Sequence, residues 1–457
     1  MTEQLVQQEQ NPVAGVVSKT PVSAGLLVDF GNSGTRVSLV LGNRIFRFDM
    51  SNEFMEMPRD YKIPAIYRKR GAELFAYNGQ YFFHGDIVQR EFGAKKMRPS
   101  AAEGDKPDQL TTALTLNLAF IKAVELIQMA AAKPASALDI TFRVGVLLPP
   151  MQLDNSADKM LRILSGFNSV HRYLPFEAHY SFKVHPEPII EGEGIAGFFG
   201  AVYTSTDKRL LPESQGKSVE NGDVLVYEIS ENFTPQAVPE NAKFETGYTL
   251  VIDIGAGTTD VVVILDGVIV DNSRATFKYG GNTAKSTLQT EIRKRYGFTP
   301  TDIDKVVQTG VLEEGEYLHD VSDLVTVAKK DYADRMIVEL RTYLEGLSGL
   351  EPKNLKGLLV MGGGSMPTLA YVVNTTETRV VDGNTTEVPV RKLYPTAESA
   401  PEGASKEIVS PAMSTILHEY LKNLAPHMLE VKVPLGSQRT LNIDGLEIIY
   451  RGETQLG

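Results

Sequence analysis

The sequence predicts an α/β protein built as two similar halves around a ligand cleft. Three observations predict it: a hairpin that occurs twice, strands that alternate with helices along the chain, and a further glycine turn at the end of an apolar strand. Residues 26–46 (LLVDFGNSGTRVSLVLGNRIF) align without a gap on residues 250–270 (LVIDIGAGTTDVVVILDGVIV), so that Asp29 falls on Asp253, Gly31 on Gly255 and Thr35 on Thr259. Both copies read as strand, glycine turn, strand, tight turn and strand, the tight turns being Gly42-Asn43 and Asp266-Gly267. In the second copy an apolar strand of the buried kind runs into Gly255 and Gly257, with Asp253 and Asp260 on either side. Glycines leave the backbone bare, and the free N–H groups of such a turn suit phosphate oxygens. A chain that repeats a phosphate-type hairpin is expected to close both copies on one ligand.

The chain has 457 residues, enough for two or three domains with real cores. Its 42% hydrophobic share is that of an ordinary globular protein, and no continuous apolar run approaches a membrane span. Zero cysteines exclude disulfides, thiolate chemistry and Cys-type zinc sites, which fits the cytoplasm. A net charge of −11 argues against direct nucleic-acid binding, because phosphate contacts need clustered Lys and Arg; DNA would be met through a basic adaptor. Residues 1–24 are Gln-rich and lack an apolar block, so they are expected to form a flexible tail without a signal peptide or membrane helix.

In chain order, residues 50–107 mix short β-like pieces, 72–77 and 81–83, with a turn at Asn78-Gly79. A helix over 108–133 follows, then a strand over 138–148 stopped by Pro149-Pro150, a helix over 156–164 and a strand over 180–184. Glu187, Glu191 and Glu193 stand at a strand end before a small-residue helix. They are candidates for holding a water near a phosphate, and equally suit a helix first turn. Residues 204–246 are polar and proline-containing and read as a surface excursion with one strand-like piece, 223–229. Gly280-Gly281 open a helix over 282–296 closed by Gly297, and 323–347 forms a second long helix of core character. Residues 357–367, GLLVMGGGSMP, then run an apolar strand into Gly362, Gly363, Gly364 and Ser365, a bare turn suited to a nucleoside. Ser410-Pro411 predict a helix start continuing to 424, and the last thirty residues read as a hairpin.

This order of motifs resembles the superfamily of actin, sugar kinases and seventy-kilodalton heat-shock ATPases. VDFGNSGT is similar to its first phosphate motif, VIDIGAGTTD to the second and LVMGGGSMP to its adenosine motif; 185–203 and 410–424 resemble its two connecting segments. Without the large kinase or chaperone insertions and with no chaperone-like peptide-binding domain after the core, the chain looks most like the bacterial plasmid-segregation proteins of the ParM and Alp group.

The resemblance implies two actin-like domains flanking a nucleotide cleft. Domain I would span 25–190, with a small subdomain at about 50–107, and domain II would span 191–409, with the excursion 204–246 and a small subdomain at about 282–350. Residues 410–457 would return to domain I. It implies ATP, or GTP, with magnesium held by Asp29 and Asp253 largely through water. Asn32, Ser33, Gly34 and Thr35 would hold phosphates on one side, and Gly255, Ala256, Gly257, Thr258 and Thr259 on the other. Gly362, Gly363, Gly364 and Ser365 would line the adenosine, with Lys285 and Gln289 beside base or ribose. A glutamate, Glu191 in preference to Glu187, would orient the attacking water with Asp253 in the catalytic set. The implied function is an ATPase that polymerises into filaments and moves plasmid DNA through an adaptor. A small-molecule kinase or phosphatase, or a division or pilus scaffold, is the alternative on the same fold; the scaffold predicts a terminal amphipathic anchor, and neither terminus supplies one.

Overall fold

The computed structural model describes residues 19–31, 34–57, 73–85, 88, 96–99, 104–204, 208–217, 222–230, 235–381, 384–434 and 436–456. In the first half, β1 (Thr20–Phe30), β2 (Thr35–Leu41) and β3 (Arg44–Met50) are successive antiparallel neighbours. A long helix, α1 (Leu110–Ala131), brings the chain back to β4 (Leu138–Leu148), which pairs with β1 in parallel. After α2 (Leu153–Gly166) comes β5 (Ile189–Gly192), parallel to β4, which runs directly into α3 (Glu193–Val202). A smaller sheet of this half contains Glu73–Tyr77 and Gln80–His84, joined by the predicted Asn78-Gly79 turn, in which both residues have positive φ, 48° and 75°.

The second half repeats the plan. β6 (Tyr248–Ile254) and β7 (Thr259–Leu265) form the hairpin, followed by α4 (Gly281–Tyr296), α5 (Ile303–Thr309) and α6 (Ser322–Gly346). β8 (Leu355–Met361) then pairs with β6 in parallel, as β4 does with β1. The two hairpins share one register: Asp29 lies opposite Arg36, and Asp253 lies opposite Asp260. A three-stranded antiparallel sheet follows, β9 (Thr368–Val381), β10 (Asn384–Tyr394) and β11 (Ser405–Ser410), with β9 in the middle. The chain ends with α7 (Met413–Leu421) and α8 (Leu441–Leu456).

Several expectations change. α1 is long and apolar enough to cross a membrane, but it lies in the first core among Leu26, Phe142 and Val144. Ser410 does not cap a helix: it still belongs to β11, its hydroxyl accepts from Thr326 Oγ1 at 2.9 Å, and α7 begins at Met413. That helix packs with Tyr332, Met336 and Leu340 in the core of the second half. Leu225–Glu228, expected on a surface excursion, pairs with the open edge of β3 and extends the first sheet.

The expected terminal hairpin is instead α8. Ile448, Ile449 and Tyr450 give the segment a strand-like composition, and packing overrides it. Ile443, Leu446 and Tyr450 settle on Leu27, Val40 and Leu147 of the first sheet. α3 does the converse, placing Ile195, Phe198 and Val202 on Val251, Val262 and Leu359 of the second. The two helices cross backbone to backbone: a Cβ at Gly445 would fall 1.7 Å from Ala196 O, and one at Gly200 would fall 2.2 Å from Leu441 O. Only glycine permits that approach, so these residues set the crossing that joins the halves.

Candidate nucleotide site

The described glycines of both hairpin turns are not buried. In the second, Gly255, Ala256 and Thr258 are half-exposed and Gly257 is exposed. Gly281 N–H donates to Gly255 O and Asn282 N–H to Ala256 O, both at 2.9 Å, so the start of α4 is tied to this turn. Close packing also explains the glycines: a Cβ at Gly280 would fall 2.5 Å from Gly255 O, and one at Gly364 would fall 2.4 Å from Ile254 Cγ2. Gly362 has φ +86°, and its N–H donates to Gln438 O at 3.0 Å. Three predicted elements therefore converge: the phosphate-type turn, the entry to α4 and the triple-glycine turn. In the first hairpin Gly34 is half-exposed at the turn, while Asn32 and Ser33 lie outside the described residues.

Some expected ligand residues serve the scaffold. Thr35 is fully buried and donates to Asn52 Oδ1 at 2.6 Å, and the Asn52 amide donates to Gly31 O. Thr259, at the matching position, is fully buried; it donates to Tyr279 O at 2.9 Å and bonds Tyr332 OH at 2.5 Å. Ser365 is 1% exposed and donates back to Gly362 O at 2.7 Å. These three hydroxyls brace the turns from behind and do not face the cleft. Lys285 and Gln289 are half-buried on α4, and the Lys285 ammonium pairs with Asp304.

The glutamates separate clearly. Glu187 is exposed, and its backbone N–H donates to His185 Nδ1. Glu191 turns onto the backbone, accepting from Gly192 N–H at 2.8 Å, and senses Arg274 and Glu453 but none of the hairpin acids. Glu193, the first residue of α3, is 7% exposed and faces the cleft. Strand alternation explains the split: β5 ends at Gly192, and the helix start re-aims the next side chain.

Glu193 belongs to a buried acid cluster. Asp29, Asp253 and Asp260 are 3%, 7% and 7% exposed. Asp29 pairs with Arg36 Nη1 at 3.5 Å. Asp253 accepts from Asn442 Nδ2 at 2.9 Å, and Asp260 accepts from Thr276 Oγ1. The Lys106 ammonium reaches into this group and donates to Glu193 Oε1 and Phe30 O. Burial, Asp260 and Asp29 push the Asp253 carboxyl up to about 6, against the pull of Asn442 and Lys106. Burial and the neighbouring acids likewise raise Glu193 and Asp260. Burial disfavours the charged form of Lys106, but Glu193, Asp29 and Asp260 more than offset it and its pKa is raised.

The cluster thus holds four carboxylates facing two cations, Lys106 and Arg36, an arrangement suited to a further positive charge. Among the described residues no three carboxylate or imidazole groups converge closely enough to grip a metal by themselves. Sequence reasoning missed Lys106, Asn52 and Asn442, and gave Arg36 no role. Asn442 lies 189 positions from Asp253, and Lys106 lies 87 from Glu193 in a polar stretch with no motif.

Known proteins share this arrangement of halves. The crystal structure of Ta0583, an archaeal actin homolog, superposes with a TM-score of 0.55 at 16% identity, covering 94% of this chain and 99% of that one. The fold is actin-like. Bacillus thuringiensis ParM with ATP matches this actin-like chain with a TM-score of 0.54 at 11% identity over 96% of this chain and all of that one. A 15-stranded ParM filament from Clostridium botulinum matches at 0.51 and 12% identity, covering 94% and 99%. The family model described as archaeal actin homologue MreB-like, C-terminal, matches residues 251–369, from the second hairpin through the triple-glycine turn. No curated protein sequence matches the chain.

Proposed function

We propose that this chain is an ATPase that closes its two actin-like halves on magnesium–ATP and assembles into filaments in that state. The observation that carries the reading is the buried acid cluster at the ends of two matched hairpins, with bare glycine turns on both sides. Four carboxylates against two cations would repel a bare triphosphate, so the nucleotide would have to arrive with its divalent ion. Asp29 and Asp253 would meet that magnesium across its water shell, and the ion would offset the phosphate charge. The N–H groups of the two glycine turns would hold phosphate oxygens, and Gly362, Gly363 and Gly364 beside the entry to α4 would flank the nucleoside.

Glu193 takes the water-orienting role first sought at Glu191. It faces the cleft, it is held by Lys106, and its raised pKa suits a group that accepts a proton near neutrality. The protein's part is positioning and charge, as phosphoryl transfer requires. Loss of the terminal phosphate would remove negative charge from between the halves and let them turn about the α3–α8 crossing.

A ParM of this fold is a filament, and we extend that property to this chain, with plasmid DNA moved through a basic adaptor because the chain carries net charge −11. Light scattering and electron microscopy with magnesium–ATP, with ADP and without nucleotide test it. Filaments that form with ATP and shorten after hydrolysis are expected; a chain that stays monomeric under all three conditions refutes assembly.

A further inference from the structure

α6 carries a buried lysine that the cleft chemistry does not use. Lys329 is 4% exposed, and its ammonium donates to Met366 O at 3.0 Å, Thr368 Oγ1 at 3.0 Å and Pro411 O at 2.9 Å. All three N–H donors are filled by neutral oxygens. Among the described residues no carboxylate pairs with it, and burial alone pushes its pKa down to about 7. Burying an ammonium without a counter-charge costs free energy, and its placement shows what that cost secures.

The three acceptors belong to three segments. Met366 closes the triple-glycine turn, Thr368 is the first residue of β9, and Pro411 directly follows β11. One ammonium therefore sits where the three-stranded sheet leaves the glycine turn and where it rejoins the body. The knot continues outward: Thr368 Oγ1 donates to Val307 O at 2.8 Å, joining α5 to it. Thr326, Lys329 and Tyr332 lie three residues apart along one side of α6. They reach Ser410 Oγ, the root of the sheet and Thr259 of the second phosphate-type turn.

A run of three glycines loses much conformational freedom on ordering and has few side chains to hold it. Its own ties are Ser365 to Gly362 O and Gly362 N–H to Gln438 O. Lys329 supplies the tie at its exit. We infer that Lys329 is a positioning residue for the nucleoside end of the cleft, fixing the Gly362–Ser365 turn from behind and binding the Thr368–Ser410 sheet to it. This rests on the proposal that the cleft takes a nucleotide.

Because Lys329 acts on the nucleoside side, removing its donors lowers affinity for ATP, ADP and AMP by one common factor. Calorimetry with Lys329→Met, whose side chain is of similar length, should show all three weakened about tenfold with their ratios unchanged. Hydrogen exchange should rise together over residues 362–372. A folded Lys329→Met protein with wild-type affinities overturns the inference, and so does a loss confined to ATP. If Lys329→Met does not fold, Thr368→Val removes one acceptor and must weaken the three nucleotides in the same uniform way; unchanged affinities overturn the inference there too. Wild-type protein that binds none of the three overturns the nucleotide proposal and this inference together, whereas wild-type binding with an unaltered variant overturns this inference alone.

Discussion

In the first hairpin the strand-end carboxylate, Asp29, lies opposite Arg36 and pairs with it at 3.5 Å, whereas at the same register of the second hairpin Asp253 lies opposite another acid, Asp260. The paired strands share one register, and even the bracing threonines, Thr35 and Thr259, are buried at corresponding places. What differs is charge. The first hairpin carries its own counter-ion. The second holds two buried acids that share Lys106 with Glu193, and burial and the neighbouring acids raise both carboxyls above their ordinary range. A repeated scaffold is thus divided electrostatically, one side neutralised from within and the other, on the proposed function, open to a positive charge that would come with the nucleotide.

The largest expected effect concerns the acid that joins this charged side. Glu193→Gln should lower the rate of phosphate release by about 100-fold or more while nucleotide affinity stays within a few-fold of wild type. Glu191→Gln, whose side chain is turned onto Gly192 N–H, should hydrolyse at the wild-type rate. A malachite-green time course on both proteins separates them. If Glu191→Gln is the slow variant, the water-orienting role moves back to β5.

The second test asks whether the two hairpins respond with opposite sign. Asp29→Asn strips Arg36 of its partner and should lower nucleotide-free stability by about 1–3 kcal/mol. Asp253→Asn relieves the repulsion with Asp260 and keeps an acceptor for Asn442, so it should raise the unfolding temperature of the nucleotide-free protein while weakening magnesium-dependent ATP binding. Thermal scans with and without nucleotide measure both, and equal destabilisation by the two variants would break the contrast.

A smaller effect follows from acidity. Asp253, Glu193 and Asp260 have folded pKa values above their ordinary ones, so between about pH 4 and about pH 7 the folded chain binds more protons than the unfolded chain. Their contribution to stability is therefore full below that window and is lost as pH rises through it. The nucleotide-free unfolding temperature should fall by a few degrees between about pH 5 and about pH 8, and magnesium–ATP should flatten the slope. A rise over that range would contradict the upward shifts of the three carboxyls.

Much of the fold was legible because it rests on local signals. The hairpin repeat, the strand at 138–148 and the helix closed by Gly297 were readable from apolar runs and turn residues, and each formed as expected. α8 was not, because its three isoleucines look strand-like until the crossing with α3 is known. The glycine turns of the site were readable for the same local reason. The polar groups around its acids were not: Lys106, Asn52 and Asn442 reach it from distant positions through tertiary packing, and no spacing rule joins them. The different surroundings of Glu187, Glu191 and Glu193 depend on the place where β5 becomes α3, and boundaries shift side-chain direction within one residue.

The claim that the two hairpins form one clamp, completed by a cation that the chain itself does not supply, is met most directly by calorimetric titration of ATP into the protein with magnesium and again with the metal chelated. One site per chain is expected, with affinity falling about tenfold or more when magnesium is withdrawn. Equal binding under both conditions, or no binding under either, would contradict it.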